Sequence, residues 1–231
     1  MTPKAHACPI WALRMLPDAH YGRTFLHQCC SCLGSAGAVA LGRALKHPSA
    51  RCQLRSLNLN HSGSYPPIGP AGAKELGAYL TSPQCSLTSL DLSCNCICGV
   101  NYLGSGVYDA WGVVAIANSF SPDRSQARYS LSHLNLASNA LCRPVNGNCA
   151  LTGIGALTRR LEYLSVSGKV SRSSLKSLDV SDNTLDVHES AKIIEVARIL
   201  RIDLKIERHR GLKSNLSSED EVRPSAFNRF H

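Results

Sequence analysis

Residues 87–99 read LTSLDLSCNCICG. Leucines stand at 87, 90 and 92 and an asparagine at 95, while cysteines occupy 94, 96 and 98. The leucines and asparagine form a packing pattern; three alternating thiols form a candidate metal grip. Repetition decides between them. LRSLNLNHS at 54–62, LSHLNLASN at 131–139 and LKSLDVSDN at 175–183 align with LTSLDLSCN at 87–95 on L-x-x-L-x-L-x-x-N. Val180 replaces one leucine and Ser62 one asparagine, and Ile97, Leu141 and Leu185 extend three of the four copies.

A second motif accompanies the first. LGSAGAVALGRAL (33–45) and IGPAGAKELGAYL (68–80) agree at seven of thirteen positions, and GVVAIANSF (112–120) and GIGALTRRL (153–161) keep the glycine and the apolar spacing. Apolar residues four apart in an alanine- and leucine-rich run predict an amphipathic helix. The unit is therefore a short strand, a turn and a helix. In the strand, alternating leucines point inward while Asp91 and its neighbours point to solvent. The asparagine amide both donates and accepts, so it satisfies backbone groups that leave the ladder. Stacking is expected to align Ser62, Asn95, Asn139 and Asn183 into a buried polar ladder. One unit alone cannot bury its apolar face.

These residues resemble the leucine-rich repeat family, specifically its ribonuclease-inhibitor-like subclass, over residues 33 to 206. The resemblance carries the leucines, the asparagines and the helix starts at Gly37, Gly72, Gly112 and Gly153. It implies an α/β solenoid, or horseshoe, of about four to six repeats with loop insertions. Parallel strands would line the concave face, which binds partners, and helices the convex face. Successive first leucines at 54, 87, 131 and 175 lie 33, 44 and 44 apart, longer than the roughly 28 of the subclass. The excess falls in inserts at 63–70, 96–110, 140–150 and 162–174, rich in Gly, Pro, Ser and Asn and hence read as loops. The expected organisation is an irregular segment or degenerate cap at 1–32, the solenoid at 33–207 and a disordered tail at 208–231. RIDLKIE at 201–207 alternates Ile202, Leu204 and Ile206 and is expected to add a final strand.

The concave face is predicted residue by residue. Asn58, Asp91, Asn135 and Asp179 form a central stripe, flanked by Ser56, Ser89, His133 and Ser177 and by Asn60, Ser93, Ala137 and Ser181. The expected partner-binding positions are Ser56, Asn58, Asn60, Ser89, Asp91, Ser93, His133, Asn135, Lys176 and Asp179. The stripe lacks aromatic anchors, which hot spots favour. Tyr65, Tyr102, Tyr108 and Trp111 in the inserts either supply such anchors or fold back over the solenoid edge.

Chemistry finds little support in the residues. Zinc ligands come as paired C-x₂₋₄-C sets, whereas Cys142 and Cys149 have six residues between them and no histidine pair is suitably spaced. Cys94, Cys96 and Cys98, and CCSC at 29–32, are read as reduced thiols, with no metal and no cofactor expected. Neither G-x-x-x-x-G-K-[ST] nor G-x-S-x-G occurs, so no catalytic residues are assigned. The net charge of +9 gathers at 159–176 and 198–213, away from the stripe and without a stacking platform. A solvated basic face is expected there, not a nucleic-acid site.

No apolar run approaches the roughly 20 residues of a membrane span, and the start lacks a clean signal block. A cytoplasmic, or nuclear, protein-binding scaffold without enzymatic activity is the expectation. Two alternatives stand beside it. The repeats are also similar to those of Ran GTPase-activating proteins, with Arg143 the candidate loop residue, and the chain could be a fragment of a larger leucine-rich repeat receptor or regulator. The partner's identity and the oligomeric state are not written in the sequence.

Overall fold

A computed structural model describes residues 25–27, 33–47, 54–61, 67–83, 85–101, 105–120, 131–142, 153–166 and 174–206. Within them strands and helices alternate. The elements are β1 (Phe25–His27), α1 (Gly34–Lys46), β2 (Ser56–Asn58), α2 (Gly69–Leu80), β3 (Ser89–Asp91), α3 (Trp111–Ala117), β4 (His133–Asn135), α4 (Gly153–Val166), β5 (Ser177–Asp179), α5 (Val187–Leu200) and β6 (Asp203–Lys205). A 3₁₀ turn, Asn118–Phe120, extends α3. The architecture is α/β. The six strands form one parallel sheet in chain order. Parallel neighbours need a crossover connection, and the helices are those crossovers.

Register follows the leucines. Leu57 pairs with Leu90, Leu90 with Leu134, Leu134 with Leu178 and Leu178 with Leu204. Leu57, Leu90, Leu134 and Leu178 are all essentially inaccessible and join one core with Leu41, Leu76, Ile116, Leu157 and Ile193 of the helices. Burying each such side chain contributes roughly 1.5–3 kcal/mol. Glycine sets how closely the helices approach: a Cβ on Gly77 would lie 2.6 Å from the Ala115 carbonyl carbon, and one on Gly112 2.7 Å from the Ala73 Cβ.

Three expectations change. The sheet begins at β1, whose Leu26 pairs with Leu57, ahead of residue 33 where the repeats were expected to start. Counted from that pairing, Arg23 and Gln28 fall where the other copies carry leucine, which hides the strand in the sequence. The segment 162–174, read as a loop, opens with five helical residues, because α4 runs to Val166. Leu164 is buried on that extension, so the apolar face outlasts the short motif. Helix α5 begins without glycine; Asp186 caps it by accepting from the Glu189 N–H at 2.7 Å. The final strand β6 lies within 201–207 as expected. The segment 208–231 and CCSC at 29–32 lie outside the described residues.

Candidate functional site: the open face of the sheet

The site is best built from the backbone groups that each strand leaves behind. Ser89 N–H donates to the Arg55 carbonyl and His133 N–H to that of Thr88. Continuing that ladder by steps of two would send Ser93 N–H to Leu59, Ala137 N–H to Leu92 and Ser181 N–H to Leu136. Those carbonyls are already taken. Asn95 Nδ2 donates to Leu59 at 2.7 Å, Asn139 Nδ2 to Leu92 at 2.9 Å and Asn183 Nδ2 to Leu136 at 3.0 Å. The displaced N–H groups turn to the central stripe instead. Asn58, Asp91, Asn135 and Asp179 each accept, through Oδ1, the N–H two residues on, at 2.9, 2.9, 3.0 and 3.1 Å. Such side-chain turns end a strand, which is why each strand stops after three residues.

The asparagine column is continuous from one unit to the next. Asn139 Oδ1 accepts from Asn95 N–H at 2.9 Å and Ile97 N–H at 3.3 Å; Asn183 Oδ1 accepts from Asn139 N–H at 2.8 Å and Leu141 N–H at 3.2 Å. Asn95 Oδ1 accepts from Ile68 N–H at 3.3 Å. All three asparagines are 1 % exposed. The residues on either side adopt left-handed backbone: Cys94 and Cys96, Ser138 and Ala140, Asp182 and Thr184 have φ between 50° and 60°. Non-glycine residues rarely adopt that conformation, and here the amide hydrogen bonds hold it, four at Asn95 and five each at Asn139 and Asn183. Ser62, expected to extend the column, lies outside the described residues.

Two rows face away from the helices. Ser56, Ser89, His133 and Ser177 stand in register, as do Asn58, Asp91, Asn135 and Asp179; Asp203 and Lys205 extend the two rows. All are partly or fully exposed. Asn135 Nδ2 donates to Asp91 Oδ2 at 3.2 Å, and Lys205 Nζ approaches Asp179 Oδ2 at 3.9 Å. Two cross-strand contacts thus brace the central stripe.

Two expected contact residues are placed elsewhere. Ser93 is only 4 % exposed; its hydroxyl donates to Asp91 Oδ1 at 2.6 Å and accepts from the Asn60 amide. The turn that ends the strand draws it inward. Lys176 precedes β5 and shares a row with Arg55, Thr88 and Ser132, its N–H bonded to the Ser132 carbonyl. It belongs to the lower rim, because the inward–outward alternation is counted from Leu178. Asn60 stays half-exposed beside Ser93.

The thiols of the opening stretch take different positions. Cys94 and Cys96 are half-exposed in the left-handed turn, and Cys98 is fully buried. Burial pushes the Cys98 thiol up to about 12, offset in part by a hydrogen bond with Tyr108. Burial raises Cys96, and then the nearby Cys94 adds to it. Among the described residues, no three His, Cys, Asp or Glu side chains converge as a metal site would require. Tyr108 is not an outward anchor: its hydroxyl donates to the Leu141 carbonyl at 2.9 Å and accepts from Gly153 N–H at 2.7 Å. It ties the insert to the start of α4, a contact that sequence spacing gave no means of finding. Trp111 is 68 % exposed. Tyr65, Tyr102 and Arg143 lie outside the described residues.

Comparison with models of known protein families found no match, and neither did comparison with curated proteins. Among the described residues no helix is long and apolar enough to cross a membrane.

Proposed function

We propose that this protein is a non-catalytic scaffold of the leucine-rich repeat type, a ribonuclease-inhibitor-like solenoid whose open sheet is the concave face that takes a protein partner. One observation carries the reading. Four strands present the same two rows of hydrogen-bonding side chains in register, cross-braced and left uncovered by the described elements. A pre-ordered surface loses little side-chain entropy on binding.

Site-specific photo-crosslinking tests the proposal. A crosslinking residue at Ser177 or His133 is expected to trap a partner, while one at the exposed helix residue Arg159 traps none. Equal trapping at both places would move the binding surface off the sheet. For affinity, the informative substitutions are Asp91→Asn and Asp179→Asn, which keep the Oδ1 acceptor that ends each strand and remove the charge together with the Oδ2 acceptor that Asn135 and Lys205 face.

A further inference from the structure

The helix layer does not end as it is built. Five residues after each helix-start glycine stand Gly42, Gly77, Ala117 and Thr158, all buried. A Cβ on Gly42 would meet the Glu75 backbone at 3.0 Å, and one on Gly77 the Ala115 carbonyl carbon at 2.6 Å. This position is therefore covered by the following helix. Its counterpart on α5 is Ile194, which is 49 % exposed, with Ile199 and Val187 exposed at 46 % and 54 %.

Beside α5 lies β6, the outer strand of the sheet among the described residues. Asp203 N–H donates to the Lys176 carbonyl, and the Lys205 carbonyl accepts from Val180 N–H. Those two residues spend their backbone groups on β5. In a parallel ladder the residue between them turns its N–H and carbonyl the other way, so Leu204 offers both to the open edge. Asp203 and Lys205 flank it with exposed, opposite charges. Short length and charge protect an edge from indiscriminate pairing, yet one pairing matches these charges. Running antiparallel about a two-fold axis through Leu204 sets each Asp203 opposite a Lys205, twice over.

We propose that this edge is the interface of a two-fold symmetric dimer. Strand β6 pairs antiparallel with the same strand of a second copy, and Ile194 and Ile199 of α5 are covered at the same contact. The competing occupant is the chain beyond Ile206. The proposal is independent of what the open face binds.

Sedimentation equilibrium of the full chain over a concentration series, with amide hydrogen exchange at Leu204, tests it. The mass is expected to rise from 24.9 kDa towards twice that value, with Leu204 N–H becoming protected as it does. Asp203→Lys sets lysine against lysine and Lys205→Asp sets aspartate against aspartate, so each variant alone should associate roughly tenfold more weakly. Mixed one to one, the two variants have matched pairs again and should dimerise like the parent. A 24.9 kDa mass at every concentration, variants that associate unchanged, or a mixture that fails to pair would each overturn the proposal. Protection of Leu204 N–H in the monomer would assign the edge to the following segment and overturn it as well.

Discussion

The first helix contacts and the last are made differently. Between α1, α2 and α3 the meeting points are Gly42, Gly72, Gly77 and Gly112, where an added Cβ would strike the neighbouring helix. Towards the C-terminus the matching positions hold Thr158 on α4 and Glu189 on α5. Both are buried, and Thr158 Oγ1, Glu189 Oε2 and the adjacent Ser190 Oγ have no hydrogen-bond partner among the described residues. Each such group costs roughly 1–3 kcal/mol. The sheet side shows no such contrast, since Asn95, Asn139 and Asn183 each donate to the carbonyl at the matching position of the preceding unit. The asparagine column fixes strand spacing and leaves the helix layer free to vary.

The largest effect should come from breaking what both ends share. Asn139→Leu strands three carbonyls and two N–H groups, and a loss of about 3 kcal/mol is expected in urea unfolding. A neutral result would mean that water replaces the amide. Gly77→Leu attacks the tight end alone: it forces α2 from α3 and should cost about 2 kcal/mol. The mirror experiment at the loose end has the opposite sign. Thr158→Val removes an unpartnered buried hydroxyl at nearly constant volume and should stabilise by about 1 kcal/mol. If it destabilises, the hydroxyl has a partner and the contrast between the two ends fails.

The smallest effect concerns the ion pair that joins α1 to α2. Lys46 Nζ lies 2.7 Å from Glu75 Oε2 and Arg43 Nε 3.8 Å from Oε1. The Lys46 hydrogen bond holds the Glu75 carboxyl below its ordinary value of 4.5, with burial opposing and the charges of Lys46, Arg43 and Lys74 assisting. A lowered folded-state value means that the pair stabilises above the ordinary value, and that this contribution is lost as pH falls through the lowered one. Glu75→Gln should therefore cost about 0.5 kcal/mol at pH 7. That difference should shrink to nothing once the carboxyl is protonated in both states, which paired pH titrations of thermal unfolding would reveal.

The leucines and asparagines were legible because their period mirrors the strand and its exit. Helices α1 to α4 were legible through their glycine and apolar spacing. β1 escaped because polar residues stand at its flanking leucine positions, and α5 because Glu189 and Ser190 replace the glycine and its apolar neighbour; its Asp186-x-x-Glu189 start is the capping signal that could have found it. On the open face the rows were legible and their internal bonding was not. Ser93 reads as an outward residue by alternation, yet the Asp91 side chain turns it in.

By itself the sequence determined which repeat leucines are buried and which asparagines leave the ladder, because both follow from local periodicity. Only the tertiary structure decided where those asparagines bond, since their partners lie 36 to 47 residues away. It also decided that Tyr108 folds inward and that Ile194 is left uncovered. Contacts between units separated by inserts of unequal length have no fixed spacing in the chain, so no local pattern could announce them.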